Sequence, residues 1–189
     1  MTPHGILVLT GPPCAGKSSV GTALISGPFS AHGIYVEIDS LFDLLLPQSD
    51  RNRHDRMLAY DAAHVLARLL FARGKTPMLE CTYSRSEQRA SLITAIAGIP
   101  EAPLWIVELA VSPGEAVQRF RRREQDTDLD ERLVRERVES FPYCDDALQL
   151  DSAAATPDAL AARIETWLAS GPPPVDGDRW ATAGKGWDA

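Results

Sequence analysis

The stretch that decides the fold is "GPPCAGKSS", residues 11–19, which follows the apolar run "ILVLT" at 6–10 and precedes "VGTALISG" at 20–27. It fits G-x-x-x-x-G-K-[ST], and the context that this motif requires is present, a strand before it and a helix after it. Glycines at 11 and 16 permit backbone angles closed to other residues, so the main-chain N–H groups can turn around an anion. The sequence therefore predicts a phosphate-binding loop (P-loop).

Each position of this loop has its own expected task. The lysine places a point charge between the β- and γ-phosphates of a nucleotide, and the first serine hydroxyl is a hard oxygen ligand for Mg²⁺. The dipole of the following helix favours bound anions. We expect the nucleotide to be held by Gly11, Pro12, Pro13, Cys14, Ala15, Gly16, Lys17, Ser18 and Ser19.

The rest of the chain alternates strands with helices. Apolar runs at 6–10, 34–39, 77–83, 104–111 and 147–151 read as strands, and segments with helical spacing lie between them. This alternation predicts an α/β fold in which a five-stranded parallel sheet is covered by helices on both faces. A length of 189 residues favours a single domain.

Composition limits the possible partners and the location. A net charge of −7 argues against a broad nucleic-acid footprint. The N-terminus carries no basic region before its short apolar stretch, so we expect no signal peptide, no membrane anchor and a cytoplasmic location. The three cysteines form no metal-binding or disulfide pattern, and we expect free thiols.

Two stretches depart from the alternation. Residues 124–139 are rich in charge and poor in apolar residues, which predicts a mobile, solvated arm and not a core helix. Residues 171–189 are rich in Pro and Gly, so we expect a tail that is extended or disordered, although Trp180 and Trp187 are unusual in such a segment.

Together, "GPPCAGKSS", "EIDSLFDLLL", "LECTYSRSEQR" and "RFRRRE" resemble the small P-loop kinases that include chloramphenicol phosphotransferase, gluconate kinase, shikimate kinase and the zeta toxins. The likeness covers about residues 5–170. It implies a three-layer P-loop kinase sandwich over residues 1–170, a mobile lid at about 121–138, and ATP with Mg²⁺ as cofactors. The chain after residue 170 lies outside it.

The resemblance also implies roles for individual residues. Asp39, at the end of the second strand, would be the base that activates an acceptor hydroxyl; from the residues alone, capping of the next helix is an equal alternative. Arg119 would lie against the adenine and Arg123 would reach the phosphates; a solvated helix face is the alternative for either arginine. Glu80 would hold Mg²⁺ through water or contact the acceptor, or would form a structural hydrogen bond to the P-loop.

The acceptor region is the least specified. On the helix at 56–74, an apolar stripe of Leu58, Ala62, Val65 and Leu69 is expected to face the core, and Asp61, His64 and Arg68 are expected on another, polar face. That polar face would contact the acceptor, or it would be merely solvated. The leading function is ATP-dependent phosphorylation of a hydroxyl on a small molecule, such as an antibiotic, a sugar or a related metabolite. Two alternatives remain: a kinase for a nucleotide or nucleic-acid 5′ end, and an ATP-binding switch without catalysis.

Overall fold

The computed structural model describes residues 4–99, 102–123 and 129–187. Five strands form one parallel sheet: β1 (Ile6–Thr10), β2 (Gly33–Glu37), β3 (Thr76–Glu80), β4 (Leu104–Ala110) and β5 (Leu148–Asp151). Their order across the sheet is β2-β3-β1-β4-β5. The predicted five-stranded parallel α/β fold is confirmed, and the central strand β1 leads directly into the P-loop.

Eight α-helices are described, four on each face of the sheet. One face carries α1 (Lys17–Ser26), α5 (Pro113–Arg121), α6 (Glu131–Glu139) and α7 (Pro157–Ala169), and the other carries α2 (Ile38–Leu45), α3 (Arg53–Ala72), α4 (Ser86–Ile96) and α8 (Gly177–Ala183). Alternate residues of each buried strand feed the two cores, as Leu7 and Val8 of β1 do. The result is the three-layer sandwich that the sequence predicts.

The charged segment before β5 differs from the prediction. Residues 131–139 form helix α6, and Val134 and Val138 of this helix are buried in the core beside α5. The two valines, one helical turn apart, are enough to dock a helix that is otherwise charged. The predicted lid at about 121–138 includes residues 124–128, which lie outside the described residues, so its movement stays a prediction.

The C-terminal segment is not the extended or disordered tail that its composition predicts. Residues 177–183 form α8, whose N-cap Asp176 accepts from the backbone N–H groups of Asp178 and Arg179. Trp180 is fully buried, and its carbonyl accepts a hydrogen bond from the buried guanidinium of Arg89 at 2.9 Å. The same guanidinium donates to the carbonyls of Tyr83 (2.7 Å) and Pro142 (2.8 Å). One arginine therefore ties this helix to two core segments.

Helix α3 presents the opposite face to that predicted. Its buried residues are Ala59, Tyr60, Ala63, His64, Ala67 and Phe71. The stripe expected in the core is instead exposed at Leu58, Val65 and Leu69. The prediction was wrong because hydropathy ranks Leu and Val above Ala, whereas close packing against the neighbouring helices is achieved here by small alanines and two aromatic rings.

Candidate active site

The P-loop connects β1 to α1 through a backbone that only certain residues adopt. Gly11 has a φ of 150°, and a Cβ there would lie 2.5 Å from the carbonyl oxygen of Leu109. Gly16, with a φ of 85°, directly precedes α1. Cys14 also has a positive φ, of 62°. Because the first N–H groups of a helix have no acceptor within it, the start of α1 at Lys17 offers donors to an anion.

Lys17 and Ser18 of the loop have hydrogen-bond partners nearby. The Lys17 ammonium donates to the carbonyl oxygens of Gly11 (3.1 Å) and Pro12 (3.2 Å), on the loop itself. The Ser18 hydroxyl donates to Oε2 of Glu80 at 3.1 Å. These contacts hold a cation and a hydroxyl beside the anion cradle, as the motif predicts.

Glu80 ends strand β3 and is only 4% exposed. Its Oε2 also accepts from the Tyr35 hydroxyl at 3.0 Å. Burial raises the pKa of Glu80, and the opposing charge of Lys17 limits that rise. Of the roles for Glu80 that the sequence left open, the structure contains the hydrogen bond to the P-loop. Tyr35 was missed, and its place on β2, two residues before Glu37, is the signal that would have pointed to it.

Asp39 does not cap a helix. Helix α2 begins at Ile38 with Glu37 at its N-cap, so Asp39 lies in the first turn, where its side chain is 68% exposed. The nearest atoms of Asp39 and Arg51 are 4.0 Å apart, and Arg51 also pairs with Asp43. The capping alternative is therefore wrong, and the carboxylate is available to solvent.

Three charged groups converge where β3 ends. The thiol of Cys81 is fully buried there, and burial, with the negative charges of Asp39 and Glu80, raises its pKa while the charge of Lys17 lowers it. The strand register agrees: Glu80 pairs with Leu9 of β1, the strand that leads into the P-loop, and with Glu37 of β2, two residues before Asp39. The structure thus brings the P-loop lysine, the β3 carboxylate and the β2-end carboxylate to the carboxyl edge of the sheet, where ligands bind in open α/β folds.

Arg119 and Arg123 lie on the other side of the P-loop. Arg119 donates to the carbonyl of Cys14 (3.3 Å), to the Ser152 hydroxyl (2.9 Å) and to the Ser152 carbonyl (3.0 Å), and its Nε pairs with Glu115 at 2.8 Å. Both arginines line a cavity of about 400 Å³ together with P-loop residues and the start of α7. Ser152, in the turn after β5, was not foreseen from the sequence.

Of the three α3 residues predicted to contact the acceptor, His64 is not exposed. His64 is fully buried; its Nε2 lies 2.9 Å from the Tyr83 hydroxyl and its Nδ1 lies 2.8 Å from Ser91 Oγ. Burial lowers the pKa of His64 to about 3, so the ring is neutral at physiological pH. Asp61 is exposed and accepts from Ser91, and Arg68 is exposed beside Gly98. The expected polar face that includes His64 is therefore wrong.

The residues around the loop fit a nucleotide with Mg²⁺. Ser18 and Glu80 bring a hydroxyl and a carboxylate, both hard oxygen donors, to within 3.1 Å of each other. Among the described residues no cluster of three or more His, Cys, Asp or Glu side chains has the arrangement of a metal site. Mg²⁺ binds through few protein oxygens, water and substrate phosphates, and Ser18 and Glu80 are oxygen donors of this kind.

Comparison with known proteins fixes the family. Residues 6–142 match the P-loop family described as the AAA domain, AAA_33. The chain belongs to this family. The match spans the P-loop, both carboxylate-bearing strand ends and the two arginines, so the resemblance to small P-loop kinases is confirmed. Among curated proteins, no sequence matches the chain.

Solved structures share the fold of this AAA-domain protein at low sequence identity. An unliganded sugar kinase from Janibacter sp. is 16% identical, with 90% of this chain and 97% of that chain covered and a TM-score of 0.66. A gluconokinase from Sinorhizobium meliloti is 19% identical, with coverages of 89% and 94% and a TM-score of 0.62. The Mycobacterium tuberculosis APS kinase, solved with AMPPNP and APS, is 17% identical, with coverages of 89% and 99% and a TM-score of 0.64.

In the described part of the chain, no helix combines the length and the apolar character needed to cross a bilayer.

Proposed function

We propose that this AAA-domain protein is an ATP-dependent phosphotransferase that moves the γ-phosphoryl group of ATP to a hydroxyl of a small molecule. The observation that carries the proposal is the geometry at the carboxyl edge of the sheet: Ser18 of the P-loop donates to Glu80, and Asp39 lies two residues after Glu37, which pairs with Glu80 across β2 and β3. Asp39 supplies an exposed carboxylate at this edge. A kinase needs one there as a base for the acceptor.

The residues divide the work of an in-line transfer. The P-loop amides and Lys17 hold the β- and γ-phosphates. Ser18, and Glu80 by way of water, would hold Mg²⁺, which would neutralise charge on these phosphates. The acceptor oxygen attacks the γ-phosphorus, its proton passes to Asp39, and the bond from that phosphorus to the β,γ-bridging oxygen breaks. The products are a phosphorylated acceptor and ADP. Arg123 stabilises the charge that develops on the transferred group, and Arg119 holds the nucleotide base.

The contacts of Arg51 and Arg53 favour a small-molecule acceptor over a nucleic-acid 5′ end. A 5′-end kinase would need basic groups near residues 51–56 for the acceptor's own phosphates. Arg51 pairs with Asp43 and lies close to Asp39, and Arg53 makes two hydrogen bonds to Glu87 at 2.7 and 2.8 Å. These contacts pair both cations with carboxylates of the protein itself. Asp61, His64 and Arg68 play no part in this proposal.

The test is ADP release from ATP and Mg²⁺ by the purified protein, alone and with a panel of hydroxylated antibiotics, sugars, nucleosides and 5′-hydroxyl oligonucleotides. Mass spectrometry on each hit should show a product heavier by one phosphoryl group, and Lys17→Ala should abolish it. Tight ATP binding without stimulation of ADP release by any acceptor would favour the alternative function, an ATP-binding switch without catalysis. Phosphorylation of the oligonucleotides alone would overturn the choice of acceptor.

A further inference from the structure

The outward side of α3 is apolar. All of the large hydrophobic side chains that are exposed in the described residues lie on α2 and α3: Leu44, Leu45, Leu58, Val65 and Leu69. On α3, Leu58, Val65 and Leu69 are 48, 65 and 52% exposed. With about 100° of rotation per residue, these three lie within about 20° of the direction opposite the buried face. A surface helix normally carries charged or polar residues along that line.

The apolar line on α3, made of Leu58, Ala62, Val65 and Leu69, is symmetric about a single point. The midpoint between Ala62 and Val65 is also the midpoint between Leu58 and Leu69. If a second α3 is laid antiparallel across this point, Leu58 of one helix faces Leu69 of the other, and Ala62 faces Val65. A closed two-fold interface requires such self-complementarity, because the same patch serves both subunits.

The charges beside the line follow the same symmetry. Asp61 and the exposed Arg68 lie on one flank, and Asp55 and the exposed Arg73 lie on the other. In the antiparallel arrangement, each flank of one helix packs against the same flank of the second helix, which runs in the opposite direction. Asp61 then comes within about 3 Å along the axis of the copy's Arg68, and Asp55 within about 2 Å of the copy's Arg73. The register in which the apolar residues face each other therefore brings opposite charges together on both flanks, and it does not bring like charges together.

We propose that this face of α3 is the centre of a two-fold interface with a second copy of the chain, the two helices packing nearly antiparallel about the midpoint of Ala62 and Val65. The inference does not depend on the phosphotransferase activity. It accounts for the apolar line, which the fold of one chain leaves in water, and for the placement of the flanking charges. Burial of a line of Leu and Val between well-matched helices is the usual source of association free energy.

The first experiment measures molar mass by light scattering and sedimentation over a hundredfold range of protein concentration. The expected result is a particle of about twice 20.6 kDa for the native chain. Val65→Asp should weaken association by about tenfold or more, because it buries an unpaired charge at the interface centre. Since Val65 is exposed in one chain, this variant should still fold, with the far-ultraviolet circular dichroism spectrum of the native chain. The matched control is Ala162→Asp, at an exposed position of α7 on the other face of the sheet, which should leave the dimer intact.

The second experiment tests the register. In the proposed dimer, Leu58 of one chain and Leu58 of the other are about 16 Å apart along the helix axis. Leu58 of one chain lies directly opposite Leu69 of the other. A disulfide needs Cα atoms within about 7 Å, so Leu58→Cys alone and Leu69→Cys alone should remain uncrosslinked under mild oxidation. A mixture of the two single variants should give covalent dimers. A native chain that is monomeric throughout, a dimer indifferent to Val65→Asp, or equal crosslinking of the single variants alone would each overturn the proposal.

Discussion

The Ser18 hydroxyl and the Glu80 carboxylate meet at 3.1 Å, although 62 residues separate them in the chain. Ser18 comes from the P-loop after β1 and Glu80 from the end of β3, the strand next to it in the sheet. The contact joins the motif that the sequence identifies to a carboxylate whose role the sequence left open. The same Oε2 accepts from Tyr35, so two hydroxyls hold one carboxylate oxygen in place.

Removing the Tyr35 hydroxyl should weaken metal-dependent nucleotide binding. Tyr35→Phe leaves Glu80 held by Ser18 alone, and the loss of one hydrogen bond of about 1 kcal/mol corresponds to about a fivefold weaker affinity for Mg²⁺·ADP. The affinity for ADP without metal should not change. Calorimetric titration with ADP, once in Mg²⁺ and once in EDTA, measures the metal-dependent and the metal-free affinity separately. Tyr143→Phe, which removes the hydroxyl of another half-buried tyrosine, is the matched control. An equal loss in EDTA would show that Tyr35 only supports the fold.

Asp39→Asn should separate binding from turnover. The exposed carboxylate contributes no burial free energy, and its removal takes away a base from the acceptor hydroxyl, so turnover should fall by about two to four orders of magnitude. ATP affinity should change by less than about twofold. Asp43→Asn, one helical turn further and also paired with Arg51, is the control and should retain most of the activity. A collapse of ATP binding in Asp39→Asn would instead assign Asp39 to the metal site.

Arg119 should contribute to nucleotide affinity through the base. Arg119→Met removes the guanidinium that bridges the Cys14 carbonyl to Ser152, and we expect binding of ADP and of AMP to weaken by the same factor, about tenfold. Fluorescence or calorimetric titration of both nucleotides measures this. A larger loss for ADP than for AMP would place the guanidinium on the phosphates. Arg121→Met, which loses an exposed pair with Glu131, should bind both nucleotides normally.

Glu108 should make the protein less stable as the pH rises. It is fully buried within β4, where Oε2 accepts from the Cys144 N–H at 2.9 Å and Oε1 has no hydrogen-bond partner among the described residues. Burial raises the pKa of Glu108 to about 7 from an unfolded value of 4.5. The folded state therefore binds more protons than the unfolded state between these values. The stabilisation is complete below about pH 4.5 and is lost as the pH rises through 7, by about 3 kcal/mol in all.

The neutral His64 acts in the opposite direction, since its folded pKa of about 3 makes stability rise with pH between 3 and 6.5. The measurement is therefore the difference in unfolding free energy between the native chain and Glu108→Gln, by urea at pH 5 and pH 8. The variant should gain on the native chain by about 3 kcal/mol over this interval. A difference that does not change with pH would mean that Glu108 is ionised throughout.

The sequence by itself determined the elements whose signals are local. The glycines at 11 and 16 are needed by the backbone angles of the P-loop, and the alternation of apolar strands with helices required a parallel sheet with that loop at its carboxyl edge. Ser112 and Thr156 each cap a helix through a bond to a backbone N–H three residues on, which propensity alone predicts. Such features depend on a few neighbouring residues, and no distant contact overrides them.

Only the tertiary structure decided which face of a helix is buried, whether the C-terminal segment is ordered, and which distant side chains are in contact. Helix α3 has two candidate faces, and packing on the sheet and on α4 chose the alanines and aromatic rings over Leu58, Val65 and Leu69. The C-terminal segment has the composition of a disordered tail, yet Trp180 and the three carbonyls held by Arg89 order it. The Tyr35–Glu80–Ser18 contact joins three elements. Burial and long-range hydrogen bonds are properties of the assembled chain, so no local pattern in the sequence contains them.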